Sequence, residues 1–425
     1  MDISVTKNTS WNKLPWNQFR SKVFGLQCRI YDAMLNKDIK KTLKLQKCLL
    51  NSSSAHYIAV KELTDRGEDS KVPGNDGKLL LTFREKLLFL LRIRTDLSQW
   101  KYSSYRKVKI ITFNGTDSFL SIPNMEDRIV QFIWKLALEP AHEAIFSECS
   151  YGFRPGRTIW DMQKAILMQF KKFSKEARIN LLKIDLTHYS RLIAHNFLIT
   201  KLIFPSKYKT SLYQALKSGI LDGILITFSY QYSLTNLSFL LLNIAFHGSE
   251  DLLISTNYSI NKKATICAFR YGPHILYIFS QDQDNISALI DGFFYPLGIT
   301  LLHSDLIRFQ QIYNFDFLGW YFVNKVTGKS TSYPNKPNWA IYKGEVKSIL
   351  RSSFDTTNIR LEKIYRRTQK WYKYNHLCDS SKIRSQIYML RHWCNRYLRL
   401  HTNMVKEERS RLLKQVFASQ VHFKL

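Results

Sequence analysis

Residues 269–278, FRYGPHILYI, constrain this chain more than any other stretch. Aromatic and aliphatic residues run up to Gly272-Pro273 and away from it again, so the segment predicts a β-hairpin over 268–279 with a tight turn at that dipeptide. A second hairpin is predicted upstream, where residues 107–111 and 119–122 flank Asn114-Gly115, the dipeptide best suited to the positive φ angles of a two-residue turn. Residues 181–186 read as a buried strand, and FDFLGWYF at 315–322 as another. Helices are predicted from Asp127 to about Leu138 and again up to about Leu221, with a loop, SYGFRPGR, at 150–157. Strands interleaved with helices from 105 to 322 predict an α+β domain.

The flanks follow a different rule. From Trp11 to about Leu63 the spacing is helical, with Val23, Gln27, Ile30 and Met34 on one face and Ile39, Leu43, Gln46 and Leu50 on the next. This predicts a basic helical layer over 1–70. DRGEDSKVPGNDGK, at 65–78, is turn-rich and marks a boundary. TSYPNKPNW, at 331–339, predicts a loop broken by proline, and from Lys343 onward 19 Lys and Arg face 6 Asp and Glu. That last part, 331–425, is predicted helical. Leu361, Ile364, Thr368 and Trp371 fall on one face, while Lys363, Arg366, Arg367, Lys370 and Lys373 gather opposite. Ile383, Ile387, Leu390, Cys394 and Tyr397 form the apolar face of a following helix.

Over the whole chain 63 Lys and Arg stand against 33 Asp and Glu, a formal charge of +30. A field of that sign attracts polyanions and gains from releasing their counterions, so nucleic acid is the expected partner. A membrane is not: the apolar run LSFLLLNIAF at 237–246 is too short to span a bilayer. The six cysteines form no C-x-x-C pair, which argues against a zinc ribbon or a disulfide framework. His142, His195 and His247 lack metal-ligand spacing and read as core or surface residues. The start, MDISVTKNTSWNKLPW, has neither a secretory apolar region nor transit-peptide character, so either the protein works where it is made or its address lies elsewhere.

IPNMEDR (122–128), LEPAHEAIF (138–146) and SYGFRPGR follow one another closely, with WNKLPW and LQCRIYDA before them and NIAFHGSED (243–251), FDFLGW (315–320) and RRTQKWYKYN (366–375) after. In this order the motifs resemble the reverse transcriptase/maturase proteins encoded by group II introns, nearly end to end. The resemblance implies a right-hand polymerase fold within the α+β class: an N-terminal extension at 1–70, fingers and palm at 71–330, and a helical thumb or maturase (X) segment at 331–425.

The same resemblance exposes departures. Where the family's palm hairpin carries Tyr-Ala-Asp-Asp, this chain has Tyr271-Gly272-Pro273-His274. Nucleotidyl transfer of this kind uses two Mg²⁺ ions about 4 Å apart, held by clustered carboxylates. Mg²⁺ requires hard oxygen ligands, which neither a prolyl ring nor an imidazole supplies. Asp185 in KIDL retains the third family carboxylate, expected as a vestigial residue that caps backbone groups. Asp282 and Asp284 are no substitute, lying on the order of 25 Å from the tip along an extended segment. Thr112 and Ser118 stand where the resemblance implies a triphosphate-gripping Lys and Arg, Tyr230-Gln231-Tyr232 where it implies Pro-Gln-Gly, and Asp305 near an expected Lys.

The expectation is therefore a protein that is not an enzyme, with no catalytic residue, metal, cofactor or small-molecule substrate. Structured RNA, an intron or another organelle transcript, is the expected partner. Candidate contacts are Lys363, Arg366, Arg367, Lys370 and Lys373, together with Arg154 and Arg157, which equally well clamp their own loop through carbonyl groups. Trp371 and Tyr372 read as core. The sequence ends at Leu425 without paired cysteines nearby, so an appended endonuclease is not expected. Relatives with an eroded polymerase and a retained maturase segment point to a chloroplast, organelle-encoded. Two alternatives stay open: a plastid RNA-processing role like that of the ribosomal-operon-associated protein of euglenoids, and an active polymerase with unusual ligands.

Overall fold

The computed structural model describes residues 11–65, 72–80, 82–111, 117–173, 180–222, 225–226, 231–232, 236–252, 266–279, 286–302, 306–309, 314–324 and 330–418. Thr112, Asn114, Gly115, Tyr230, Asp282, Asp284 and Asp305 lie outside these residues.

Three helices open the chain, α1 (Trp16–Leu35), α2 (Ile39–Leu50) and α3 (Ser53–Thr64), then α4 (Phe83–Asp96). Asp38 caps α2 by accepting from the Lys41 N–H at 2.9 Å, and Thr82 with Glu85 forms a reciprocal capping box on α4. The face α2 buries is Thr42, Leu45, Gln46, Leu49 and Leu50. Ile39, predicted to be on that face, is exposed because it is the first helical residue after the cap and precedes the turn that meets the core. The strands β1 (Arg106–Ile111) and β2 (Asp117–Ile122) pair antiparallel, as the hairpin prediction requires.

Helix α5 (Met125–Glu143) is buried along most of its length, with Ile129, Val130, Ile133, Trp134, Ala137 and Leu138 fully enclosed. Pro140 within it has no N–H to give the Leu136 carbonyl, four residues back. Gln27 of α1 supplies that hydrogen bond from its Nε2 at 3.1 Å, and Gln46 of α2 donates to the Ala137 carbonyl at 3.0 Å and the Ile203 carbonyl at 2.8 Å. Two glutamines on predicted apolar faces thus repair and tether a proline-containing helix. Residues 72–76, within the turn-rich stretch, are tied to its start: the Asn75 N–H donates to Asn124 at 2.8 Å and Arg128 donates to the Val72 carbonyl at 2.6 Å.

After α6 (Ile159–Phe173) come β3 (Asn180–Asp185), α7 (His195–Lys201), α8 (Ser206–Lys217), the short pair β4 (Leu225–Ile226) and β5 (Gln231–Tyr232), α9 (Asn236–Phe246), β6 (Ile266–Tyr271), β7 (His274–Phe279), α10 (Ile286–Phe294) and β8 (Leu306–Phe309). The central sheet has the order β6-β7-β3-β8, with antiparallel neighbours throughout. Its strands alternate between two cores. Leu182, Ile184, Ala268, Ile275, Tyr277 and Phe279 join α1 to α5 and the helices up to residue 299. Leu181, Phe269, Leu276 and Ile278 face the other way, toward α6 and the C-terminal helices.

FDFLGWYF is not one strand but a hairpin, β9 (Asn314–Phe317) and β10 (Trp320–Asn324). Leu318 at φ 46° and Gly319 at φ 77° both occupy the left-handed region, as the centre of a primed two-residue turn demands. TSYPNKPNW is likewise not a loop. β11 (Ser330–Pro334) pairs with β10 at the sheet edge, where a proline is tolerated, and α11 (Lys336–Arg351) starts with Pro337 in its first turn and Asn335 as its cap. The chain then continues through α12 (Thr357–Tyr374), α13 (Ser380–His401) and α14 (Lys406–Val416). The predicted apolar faces of α12 and α13 are buried as expected, Tyr397 only partly. The architecture is mixed and helix-rich with small antiparallel sheets. No helix among the described residues is long and apolar enough to cross a membrane.

Candidate functional site

The β6–β7 turn at Gly272-Pro273 brings His274 directly opposite Asp185, the last residue of β3. The Pro273 carbonyl accepts from the Leu186 N–H at 2.9 Å, and His274 Nδ1 lies 3.4 Å from Asp185 Oδ1. That same oxygen accepts from the Thr187 N–H at 2.9 Å and the Thr187 hydroxyl at 2.5 Å, so Asp185 closes a turn at the strand end. Burial works to raise the Asp185 pKa, but the His274 charge and the Thr187 hydrogen bonds outweigh it and hold the carboxyl below its ordinary value. Burial lowers the His274 pKa, against the pull of Asp185.

A cleft of about 310 Å³ opens beside this pair, lined by Lys183, Asp185, His188, His274, Asp316 and Asn335 among others. Lys183 Nζ reaches across to the Asp316 carbonyl at 3.2 Å, and burial lowers the Lys183 pKa. Among the described residues no three His, Cys, Asp or Glu side chains converge as metal ligands. The cleft lining holds two carboxylates, Asp185 tied up by Thr187 and Asp316, with two imidazoles and a partly buried ammonium, a mixed set unlike the hard carboxylate cluster that Mg²⁺ prefers.

The tip is braced from behind by SYGFRPGR. Arg270 on β6 is wholly buried and donates to Glu250 at 2.9 and 3.3 Å, to Asn243 at 2.8 Å and to the Ser150 hydroxyl at 2.7 Å. Glu250 is equally buried, and Asn243 donates to the Gly152 carbonyl at 2.7 Å. Backbone bonds join the same pieces, Arg270 N–H to Cys149 and Tyr151 N–H to Arg270, each at 2.8 Å. Sequence reasoning passed over Arg270, Glu250 and Asn243. The signal was there: an arginine and a glutamate inside otherwise apolar or small-residue runs have to be paired if they are buried.

Arg154 is buried and clamps its own loop. Its guanidinium sits on the Glu143 carboxylate at 2.8 to 3.2 Å and donates to the Ser147 and Ser150 carbonyls at 2.6 and 2.7 Å. Arg157 is half-buried, donating to the Glu148 carbonyl at 2.5 Å beside the Tyr151 ring. The stripe on α12 separates in the same way. Lys363, Arg366, Lys370 and Lys373 are exposed on one face, but Arg367 is buried against the Glu345 carboxylate of α11 and leaves the stripe. Lys363 is paired with Asp355 at 2.7 Å and Arg366 with Glu362 one turn back. Lys373 sits 5.9 Å from the Trp160 ring centre.

Trp371 belongs to the core, stacked on Tyr342 at 4.6 Å and donating to Asn338 at 2.8 Å. His142 is also core: it is buried, accepts from the Ile203 N–H at 3.2 Å, and burial, with His247 and Lys209, lowers its pKa to about 3. His247 lies against Phe146, and His195 is half-buried beside Tyr213.

Residues 11–93 match the family model described as the N-terminal domain of reverse transcriptase. The chain is 28% identical over 380 residues to Maturase-like protein 1 of Euglena gracilis, covering 88% of this chain and 79% of that one. It is also 28% identical over 377 residues to Maturase-like protein 1 of Euglena longa, covering 87% and 78%. Over a shorter stretch of 86 residues, 20% of this chain and 11% of the relative, it is 35% identical to Nuclear intron maturase 2, mitochondrial, of Arabidopsis thaliana.

Proposed function

This chain belongs to the group II intron maturase-like family, and from that premise we propose that it is an RNA-binding maturase-like protein that helps a group II-type intron fold and splice without reverse transcription. The observation that carries the loss of polymerisation is the hairpin tip. Pro273 and His274 stand where two carboxylates would hold Mg²⁺, and Asp185 is engaged by Thr187 and His274. Around it we read a right-hand polymerase body used as a scaffold, with residues 1–70, 71–330 and 331–425 as its extension, fingers-palm and thumb. The charge of +30 supplies affinity for the RNA backbone, and the RNA itself supplies the splicing chemistry. The relatives' source supports an organelle gene, which we assign to the plastid.

Primer extension with Mg²⁺ or Mn²⁺ tests the first half: no elongation is expected, and elongation overturns the proposal. Crosslinking followed by sequencing of bound RNA tests the second. Intron domains are the expected catch, whereas ribosomal-operon transcripts would transfer the protein to another processing role. On α12, Lys370→Ala and Lys373→Ala should each make the logarithmic salt dependence of RNA binding shallower by about 0.7–0.9 per lost phosphate contact. Arg367→Ala should leave that slope unchanged and lower the melting temperature instead, because Arg367 faces Glu345 inside the fold.

A further inference from the structure

A cavity of about 200 Å³ lies between α13 and α14, lined by Tyr388, Arg391, His392, Asn395, Ser410 and Leu413. It is smaller than the roughly 300–1,000 Å³ of pockets that enclose a drug-sized ligand, and suits one planar ring system. Its walls have the chemistry of base recognition. Tyr388 and His392 stand one helical turn apart with ring centres 5.0 Å from each other and planes 62° apart, and buried Leu413 supplies an apolar floor.

Two of the polar groups face the cavity as donors alone. Asn395 spends its carbonyl oxygen on Arg409, whose Nε donates to it at 2.7 Å, which leaves the NH₂ of Asn395 for a ligand. Arg391 contributes a guanidinium fork and Ser410 a hydroxyl. Such a lining selects a base edge rich in acceptors, and guanine, with O6 and N7 side by side, matches an arginine fork.

The surroundings are cationic. Arg384 precedes Tyr388 by one turn and Arg399 follows Asn395 by one turn, both exposed on the same helix face. They are about 22 Å apart along the axis, a span that reaches phosphates several nucleotides apart on a strand whose base enters the cavity.

We propose that this cavity is a pocket for an unpaired guanine of the bound RNA, so that the C-terminal helices read a flipped-out base in addition to backbone charge. The proposal rests on the RNA-binding reading above and adds to it a single-stranded, base-selective contact.

The test uses the full-length protein, a group II intron transcript, and fluorescein-labelled oligouridines carrying a single central guanosine, adenosine or cytidine. Wild-type protein should prefer the guanosine oligomer. Tyr388→Ala should weaken that binding by about five- to a hundredfold, the range of a lost base–aromatic stack, and Tyr388→Phe should largely restore it. Arg391→Ala should erase the guanosine preference, with Arg391→Lys failing to rescue it because a point charge cannot reproduce the fork. Tyr388 is 62% exposed, so the Tyr388 variants should melt with the wild type. Unchanged affinity and preference in both variants overturns the pocket while leaving the RNA-binding reading intact. Failure of wild-type protein to bind the intron transcript overturns the reading itself. Binding of free guanosine monophosphate without binding of any oligomer assigns the cavity to a nucleotide ligand, and also overturns the proposal.

Discussion

Replacing Arg270 with Met tests how the hairpin is held. The substitution keeps the length of the side chain and its apolar stem but removes the charge facing Glu250 and the donors to Asn243 and Ser150. Removing one partner of a buried ion pair costs about 3–5 kcal/mol. For a cooperative unit of about 150–250 residues, that is a fall in melting temperature of roughly 6–20 °C. Replacing both partners, Arg270→Met with Glu250→Leu, should recover most of the loss, because no uncompensated charge then remains inside. A remainder of about 1–3 kcal/mol is expected from the groups left without donors at Asn243 and Ser150.

The pH dependence separates this account from simple misfit. In the wild type, burial alone would raise the Glu250 pKa, but the Arg270 charge and hydrogen bonds prevail and hold it down to about 2. Its stabilising contribution is therefore present above the unfolded value near 4.5 and is lost as pH falls toward 2. In Arg270→Met the opposing charge is gone, burial outweighs the remaining His247 and backbone hydrogen bonds, the carboxyl rises above its ordinary value, and acid relieves the penalty by protonating it. The gap between the two proteins should narrow as pH falls from about 7 to about 5. Thermal melts of both single variants and the double variant across that range provide the measurement. A single variant within about 1 kcal/mol of wild type at neutral pH, or a gap that ignores acid, would refute the reasoning.

Two further outcomes are expected. Gly152→Ala places a Cβ 2.9 Å from the Tyr271 carbonyl carbon and closer still to the Gly272 nitrogen, backbone atoms that cannot step aside; stability should fall by about 1–3 kcal/mol, with faster hydrogen exchange at the Tyr151 and Arg270 amides. For His142, held neutral by burial at about 3, stability is fully present above the unfolded value of 6.5 and is lost as pH falls below it. His142→Gln keeps an acceptor for the Ile203 N–H, so its urea midpoint should change less between about pH 7 and pH 5 than that of the wild type.

What sequence reasoning captured was what period and turn chemistry encode. The hairpin at 268–279 and the buried faces of α12 and α13 follow from local alternation of apolar residues. What it missed depends on partners distant in sequence. Nothing near Arg367 shows that Glu345 waits across a helix pair, and a helical wheel therefore places Arg367 with its exposed neighbours. Gln27 occupies a predicted apolar position because Pro140, more than a hundred residues away, leaves the Leu136 carbonyl to satisfy, and Gln46 occupies another because it ties the Ala137 and Ile203 carbonyls together. Leu318-Gly319 escaped notice because a leucine at positive φ is an uncommon choice for a primed turn. The guanidinium of Arg154 was open to two readings from sequence, and only the position of Glu143 decides between them.

The hairpin's place in the fold has a physical reason in the sheet it belongs to. Every second residue of β7 feeds one core and the residues between feed the other, so the strand cannot be lost without opening both. The tip obeys a local constraint as well. Gly272 sits at φ 57°, and a Cβ there would lie 2.5 Å from the Phe153 ring, which itself stacks on Phe239 at 3.9 Å. Its neighbours are bound in turn, Pro273 through its carbonyl to Leu186 and His274 beside Asp185. Both tip residues are thus joined to the strand next to them, so packing and hydrogen bonding hold the turn.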